Sequence, residues 1–393
     1  MRFDTPTARF AAALTLVFLA ACGGNKGDKS AGGSAAPAPT GSTILIGHYG
    51  SLTGSEATFG LSTENGVKLA VKEVNAAGGI GGKQIELKSY DDQGKASEAG
   101  TAVTRLITSD HVVAVLGEVA SSLSLAGGRV AQQYGVPMIS PSSTNPAVTE
   151  IGDMVSRVCF LDPYQGWVEA KFARENLKAQ KAAILYDQTQ AYSKGLKDYF
   201  KKEFEGMGGT ITSEQAFSGG DQDFSAQLTT IRGTKPDVLF VPGYYTEAAN
   251  ISIQVRKLGI TAPMLGGDGW DSTQLAAIGK DAIEGSYFSN HYSWGEDRPE
   301  VKNFVEKFKA DYGVVPDGLA ALGYDAARLL FDAMGRSASL DGKTLAAAIA
   351  STKDFKGVTG LITIDANRNA TKSAVVVQVK GGMPVYVTRF EAR

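Results

Sequence analysis

The chain has 393 residues, enough to bury a large core, and a soluble chain of this length usually divides into two domains. Its 39 Lys and Arg residues nearly balance 41 Asp and Glu residues, for a formal net charge of -2. This balance excludes a basic surface of the kind that binds nucleic acid and an acidic surface suited to a polycationic partner, so a neutral ligand fits best.

The N-terminal segment has the pattern of an export signal. Arg2 and Arg9 precede the apolar run FAAALTLVFLAA, which is too short to span a bilayer but suits a secretory signal peptide. The run ends in LAAC, which resembles the bacterial lipobox; the alternative is a chance match. We therefore predict a signal peptide over residues 1–21, a lipidated Cys22, and a flexible tether rich in Gly, Ser, Ala and Pro over residues 22–42.

From Thr43 onwards, short apolar segments alternate with amphipathic ones. In the first half, the expected strands are TILIG, KQIELKSYDD, VVAVLG and VPMIS, and the helices are LSTENGVKLAVKEVNAAGG, ASEAGTAVTRLITSD and about residues 124–133. A second run of the same kind follows RVCFLDPYQG, with the strands KAAILYD, TITSEQAF, DVLFVPG and PMLGGD separated by helices. Strands that alternate with helices predict an α/β protein with parallel, doubly wound sheets.

The last hundred residues differ from this alternation. From about Tyr287 the pattern predicts the long helices PEVKNFVEKFKADYG and GLAALGYDAARLLFDAMGRS, then the strand GLITID. The chain closes with SAVVVQVKGGMPVYVTRF, in which KGGM is typical of a turn between two antiparallel strands.

Six loops at the carboxyl ends of predicted strands carry polar or aromatic groups, and such ends are where ligands bind in open α/β sheets. The residues concerned are Ser51, Thr53, Phe59, Glu118, Ser121, Ser122, Ser140 to Asn145, Gln190, Tyr192, Tyr244, Tyr245, Asp268 and Trp270. Each one alone could be a helix cap or a surface residue. Their coincidence in six loops favours a small-molecule site. Ser121 and Ser122 open a predicted helix whose N-terminus would accept a carboxylate, or they are plain N-caps.

No motif in the sequence indicates catalysis or metal binding. His48, His111 and His291 lack metal-ligand spacing, and we expect His48 to be structural or solvated rather than part of a site. With Cys22 acylated, Cys159 has no disulfide partner and is expected to be a buried apolar residue. We therefore predict no enzymatic activity, cofactor or metal; a hydrolase stays as an alternative, although no nucleophile and base pair is visible.

Several stretches together resemble the periplasmic branched-chain amino acid-binding proteins of ABC importers. They are IGHYGSLTGSEATFG, NAAGGIGGKQIELKSYDDQG, GEVASSLSLA, VPMISPSSTNPAVT, FVPGYYTEAANISIQVRKLG and MLGGDGWDS, and the resemblance extends over about residues 44–393. It implies two α/β lobes that close on a ligand: an N-lobe of residues 43–161 plus 291–373 and a C-lobe of residues 162–290 plus 374–393. The three crossovers would lie near Leu161, Asn290 and Ser373.

The resemblance also implies roles for particular residues. Ser121 would bind the ligand α-carboxylate, while Ser142 and Thr144 would contact the α-ammonium together with the Asp268 carboxylate. The remaining expected ligand-binding residues are Tyr192 and Tyr244, which would seal the site, and Phe59 and Trp270, which would shape the side-chain pocket. We expect a monomeric, periplasmic, lipid-anchored receptor that delivers an aliphatic amino acid to an inner-membrane permease.

The sequence departs from the family pattern at several positions. Asp268 stands where the family often has Glu, Phe59 where a tyrosine is common, and Trp270 is bulkier than the usual residue. Gly94 and Ala120 occupy the places of a disulfide that some members carry. The alternatives left open are a receptor for another small carboxylate or amide and a sensory protein that acts on a membrane signalling partner.

Overall fold

The computed structural model describes residues 43–393, so the predicted signal peptide, Cys22 and the tether lie outside the described residues. The strands are β1 Thr43–Gly50, β2 Gln84–Asp91, β3 Val115–Leu116, β4 Met138–Ser140, β5 Val155–Arg157, β6 Lys181–Asp187, β7 Thr210–Phe217, β8 Val238–Phe240, β9 Met264–Gly266, β10 Tyr287–Asn290, β11 Phe355–Gly357, β12 Gly360–Ile364, β13 Ala370–Thr371, β14 Ala374–Lys380 and β15 Met383–Phe390. The α-helices are α1 Ala57–Ala76, α2 Ala96–Thr108, α3 Ser121–Tyr134, α4 Asp162–Glu175, α5 Ala191–Gly206, α6 Ser225–Thr234, α7 Tyr245–Lys257, α8 Thr273–Gly279, α9 Pro299–Tyr312, α10 Gly318–Arg336 and α11 Gly342–Ala350. Short 3₁₀ helices cover Pro146–Ile151, Asp268–Trp270 and Lys280–Ala282.

Two sheets with the same core order organise these elements. The first has the order β2-β1-β3-β4-β5, with every neighbouring pair parallel. The second has the order β7-β6-β8-β9-β10-β14-β15, parallel up to β10 and antiparallel beyond it. In each sheet the first strand lies between the second and the third, so the strand order reverses there, as in doubly wound α/β folds. The predicted fold class is confirmed.

The closing hairpin forms as its sequence predicts. Strands β14 and β15 pair antiparallel, with Lys380 opposite Met383. The two residues between them, Gly381 and Gly382, have φ angles of 59° and 74°. A two-residue hairpin turn with both φ angles positive favours glycine, which has no Cβ to clash with the backbone.

Helices α1 and α10 are in direct backbone contact. A Cβ atom on Gly66 would lie 2.0 Å from the carbonyl oxygen of Ala320, and one on Gly323 would lie 2.4 Å from that of Thr63. Only glycine at these positions lets the two helices approach so closely. This contact holds the long helix of the last hundred residues against the first sheet, whereas β14 and β15 extend the second sheet. The limits of the two lobes themselves stay a prediction.

Some elements differ from the sequence expectation. Tyr287–Asn290 is a strand rather than the approach to a helix, and it lies inside the second sheet between β9 and β14. A segment of four residues, two of them polar, is too short to show a strand periodicity. Its extended conformation is therefore set by the neighbouring strands with which it pairs. Strands β5, β11 and β13 and helix α11 were not predicted either, whereas β12 forms within the predicted strand GLITID.

No helix within residues 43–393 combines the length and the apolar character that crossing a bilayer requires.

Candidate functional site

A cavity lies where the carboxyl ends of strands from the two sheets face each other. It encloses about 230 Å³ of space not filled by protein atoms. The lining residues are Phe59, Val119, Ser142, Tyr192, Tyr244, Asp268, Gly269 and Leu319. The residues that follow β3 and β4 come from the first sheet, and those that follow β6, β8 and β9 come from the second. The cavity therefore occupies the position that the predicted topology indicates for a ligand.

Asp268 is a buried carboxylate that accepts hydrogen bonds only from neutral side chains of the described residues. Gln165 Nε2 donates to its Oδ1 over 2.8 Å, and the Tyr192 hydroxyl does so over 2.9 Å. His291 Nε2 lies 3.0 Å from Oδ2, and the Ser142 hydroxyl lies 3.4 Å from the same oxygen. Burial lowers the pKa of His291 to about 4, so this imidazole is neutral near pH 7. No Lys or Arg side chain is among these partners, and a cation would complete the site.

Two further buried carboxyl groups lie on helix α4, near Asp268. Burial raises the pKa of Asp162 to about 8, and a weak hydrogen bond with the Thr144 hydroxyl opposes this rise. Burial likewise raises the pKa of Glu169 to about 8, and its Oε1 accepts the Ser289 N–H over 3.0 Å. Both groups are therefore mostly protonated at neutral pH and add little negative charge to the site.

In the polar loop after β4, some residues hold the loop in place and others are able to contact a ligand. The Ser143 hydroxyl lies 2.9 Å from the Val119 carbonyl oxygen and 2.7 Å from the Ser124 hydroxyl, so Ser143 ties the loop to its neighbour. The guanidinium of Arg157 donates to the Ser143 carbonyl oxygen, which holds the loop from the other side. The Thr144 hydroxyl is buried without a short hydrogen bond among the described residues, and its weak interaction with Asp162 lowers the pKa of that carboxyl group. A ligand with a stronger donor or acceptor would take over this hydroxyl, since buried polar groups are normally paired.

Ser121 is the first residue of α3, so it lies at a helix N-terminus, where backbone N–H groups lack partners within the helix. Its hydroxyl accepts the backbone N–H of Asn145 over 3.3 Å, which joins this helix start to the loop after β4. The position suits an anion, because the positive end of the helix dipole points outwards there.

Three aromatic rings form one wall of the cavity. Tyr192 and Tyr244 stack with their ring centroids 5.5 Å apart and their planes within 3° of parallel. Phe59 meets Tyr244 edge to face, with centroids 5.3 Å apart. The Tyr244 hydroxyl is buried without a partner in the described structure, so this apolar wall has one free polar group.

Direct contacts join the elements around the cavity. The hydroxyls of Thr58 on α1 and Ser272 before α8 lie 2.9 Å apart. The Ala191 N–H donates to the Ser122 hydroxyl over 3.0 Å, and the Asn145 side-chain amide donates to the Ala191 carbonyl oxygen, also over 3.0 Å. These bonds connect loops of the first sheet with loops of the second, so the cleft between the sheets is narrow.

Three residues expected at the site, Ser121, Thr144 and Trp270, do not line the cavity. Trp270 packs against the second sheet instead. Its indole is fully buried, its Nε1 donates to the Val241 carbonyl oxygen over 3.0 Å, and it does not line the cavity. The ring packs so closely on β9 that a Cβ atom on Gly266 would lie 2.1 Å from it. Trp270 thus supports the strand below the cavity instead of shaping the pocket.

Several residues at the site were not singled out from the sequence. Leu319 and Gly269 line the cavity, and Gln165 and His291 position the Asp268 carboxylate. Gly269 directly follows Asp268, so its place in that loop was the available signal. Leu319 and His291 are distant in the chain from every predicted loop, and no local pattern marks them.

The other residues considered in the sequence are internal. Cys159 is buried with a free thiol, as predicted, and its Sγ lies 3.2 Å from the Ser143 carbonyl oxygen. His48 is buried as well, and burial lowers its pKa to about 4. Within residues 43–393, no group of three or more His, Cys, Asp or Glu side chains is arranged to hold a metal ion.

Known proteins share this sequence pattern and architecture. A sequence profile described as periplasmic binding protein matches residues 43–383. A Leu/Ile/Val-binding protein homolog of Brucella abortus is 33% identical over 338 residues, which are 85% of this chain and 89% of the relative. A leucine-binding protein, LivK, of Thermotoga maritima is 40% identical with a TM-score of 0.85, over 88% of this chain and 99% of that one. The branched-chain amino acid-binding protein LivJ of Streptococcus pneumoniae, solved with isoleucine, is 34% identical with a TM-score of 0.83, over the same shares of both chains. The chain belongs to the periplasmic binding protein family, has its type I fold, and is similar to the family's leucine/isoleucine/valine-binding proteins.

Proposed function

We propose that this chain is the solute-binding lipoprotein of an ABC importer and captures an aliphatic, branched-chain amino acid. The observation that carries this proposal is Asp268, a buried carboxylate held by neutral donors at the edge of a small, largely apolar cavity. Burying a charge without a partner is costly, so a ligand that brings a positive group would be favoured there. The similarity to leucine- and isoleucine-binding proteins supports the same ligand class.

Both charges of an amino acid zwitterion would find partners in this arrangement. The ammonium would bind Asp268 and replace the long contact from the Ser142 hydroxyl, with the Thr144 hydroxyl as a further acceptor. The carboxylate would lie at the start of α3, beside Ser121. A helix N-terminus satisfies an anion without a second buried charge from the protein.

The remaining walls would select the side chain. Phe59, Tyr192, Tyr244 and Leu319 offer apolar surface, and burying an aliphatic group there stabilises the complex by about 0.8 kcal/mol per methylene. One methylene changes affinity by only a few-fold at this value, so leucine, isoleucine and valine would all bind. The ligand would contact residues from both sheets and so favour the narrow cleft.

A thermal-shift measurement with matched ligands tests the proposal. The purified protein is titrated with leucine, with 4-methylpentanoate, which lacks the ammonium, and with 3-methylbutylamine, which lacks the carboxylate. A rise in Tm with leucine that Asp268→Asn removes, little change with 4-methylpentanoate, and no response to 3-methylbutylamine that depends on Asp268 support a zwitterion site. An equal response to 4-methylpentanoate would instead favour the alternative of a receptor for small carboxylates.

Transport is tested separately from binding. A strain that lacks this chain should take up radiolabelled leucine more slowly, and the full-length protein should restore the rate. Normal uptake in the deletion strain, with binding intact in the purified protein, would favour a sensory role over delivery to a permease.

A further inference from the structure

A second cavity, which we call the crossover cavity, lies apart from the candidate amino acid site beside the predicted crossover at Asn290. Together with the solvent at its mouth, it holds about 760 Å³ of space not filled by protein atoms. Its walls include Asp271, Leu275, Phe288, Trp294, Asp317 and Val377. None of these residues lines the first cavity.

The walls of the crossover cavity are mainly apolar and come from separate parts of the chain. Leu275 belongs to α8, Phe288 to β10, and Val377 and Val379 to β14. Trp294 is 38% exposed, so the cavity reaches the protein surface. A concave apolar site with a few polar groups is the usual form of a small-molecule site.

Asp271, which lines the crossover cavity, has one carboxylate oxygen that accepts no hydrogen bond from the described residues. Asp271 is only 4% exposed, and the hydrogen bonds from Asn290 Nδ2, at 2.8 Å, and from the Gly318 N–H, at 2.5 Å, both go to its Oδ2. Its Oδ1 has no hydrogen-bond partner among the described residues. Asp317 is different, because it caps α10 through the Ala320 N–H and also accepts the Ser62 hydroxyl.

The charged side chains that line the crossover cavity are all acidic. Asp271 and Asp317 are its only charged lining residues, and no Lys, Arg or His side chain lines it. Burial, reinforced by the neighbouring charge of Asp317, raises the pKa of Asp271 to about 7. A bound cation would relieve this repulsion, whereas a bound anion would increase it.

We propose that the crossover cavity is a second binding site, for a small organic ammonium ion with an apolar body, whose charged end binds Asp271 Oδ1. The apolar body would pack against Phe288, Leu275 and Val377, and the indole of Trp294 at the surface would face the cation or the adjoining methylenes. The site needs no α-carboxylate in its ligand, since no basic side chain lines it and the N-termini of α8 and α10 beside it are already capped by the side chains of Ser272 and Asp317. It is therefore chemically distinct from the amino acid site.

The test uses n-hexylammonium and its uncharged counterpart n-hexanol in isothermal titration calorimetry on the full-length protein. We expect n-hexylammonium to bind the protein and n-hexanol to bind at least about tenfold more weakly, because a hydrogen bond to a charged group is lost. Asp271→Asn keeps an oxygen for Asn290 and Gly318 but loses the charge, and it should weaken n-hexylammonium binding by a similar factor. Asp281→Asn, at an exposed position nearby, is the matched control and should leave binding unchanged.

Two further variants locate the binding. Asp268→Asn removes the carboxylate of the amino acid site, and n-hexylammonium binding that survives this change lies elsewhere. Ala276→Phe fills the crossover cavity without touching a charge and should abolish binding. The proposal is overturned if wild-type protein fails to bind n-hexylammonium at millimolar concentration, if Asp271→Asn binds like Asp281→Asn, or if Asp268→Asn alone removes binding. Circular dichroism of each variant verifies that it is folded.

Discussion

His291 Nε2 and Asp268 Oδ2 lie 3.0 Å apart, with 1% and 5% of the two side chains exposed. Because burial keeps this histidine neutral, it orients the carboxylate without neutralising it. The pairing brings a residue from the end of β10 to a loop after β9 and leaves the charge of Asp268 for a ligand.

Asp268→Asn should reduce leucine affinity at least about a hundredfold, since it removes the buried partner of the ligand ammonium while keeping the side-chain shape. The melting temperature without ligand should change little or rise. Calorimetric titration with leucine measures the effect, and Asp281→Asn is the exposed control. Unchanged leucine affinity in Asp268→Asn would show that the ammonium binds elsewhere.

Thr144→Val and Ser143→Ala should separate ligand contact from scaffold. The Thr144 hydroxyl makes no short hydrogen bond in the described structure, so Thr144→Val should weaken leucine binding by about tenfold and leave the stability of the free protein nearly unchanged. Ser143 bonds within the loop scaffold, so Ser143→Ala should lower the free energy of unfolding by about 1–3 kcal/mol. Urea denaturation and leucine titration of both variants give the comparison. The assignment fails if Thr144→Val destabilises the protein and binds normally.

Asp162→Asn should change how stability depends on pH. The pKa of Asp162 is raised to about 8 in the folded protein from an ordinary value of 3.8. Between these values the folded protein holds a proton that the unfolded chain has lost, so the contribution of Asp162 to the free energy of unfolding falls as pH rises. The slope is at most about 1.4 kcal/mol per pH unit.

Asparagine does not titrate, so Asp162→Asn should gain stability relative to wild type steadily from pH 5 to pH 8. Urea denaturation curves at pH 5, 6, 7 and 8 measure this difference. Curves for variant and wild type that stay parallel over this range would mean that the carboxyl group is ionised in the folded protein.

Cys22→Ser should release the protein from the membrane. The predicted lipidation needs the thiol, and two or more acyl chains are what stable anchoring requires. We expect the wild-type protein to incorporate a labelled fatty acid and to sediment with membranes, and the variant to do neither. Membrane association of Cys22→Ser at the wild-type level would contradict the lipobox interpretation.

The local patterns of the sequence were sufficient for the α/β class and for most elements of both sheets. Alternating strands and helices depend on side-chain periodicity, which is a property of neighbouring residues. The turn at Gly381 and Gly382 could also be predicted, because the positive φ angles of a two-residue turn depend only on the residues of the turn itself. Strand β10 was missed since its extended form comes from the strands on either side of it.

The candidate site, too, could be predicted from the sequence only in part. Loops at strand ends could be recognised one by one, and Phe59, Ser142, Tyr192, Tyr244 and Asp268 do meet around one cavity. Trp270 was expected there because it shares the loop after β9 with Asp268 and because the family resemblance implied it, but the 3₁₀ turn directs its indole onto β9 instead. The direction of a side chain in such a turn depends on what it packs against, and sequence spacing alone does not contain that information.

By itself, the sequence determined the α/β class, the order of most elements and the loops in which a ligand site was expected, because each is written in contiguous residues. Only the tertiary structure decided that Gln165 and His291 hold Asp268, that Leu319 closes the cavity, and that Asp271 faces a second cavity. These relationships join residues far apart in the chain. They arise from close packing and from the need to pair buried polar groups, which act between elements once the sheets have assembled.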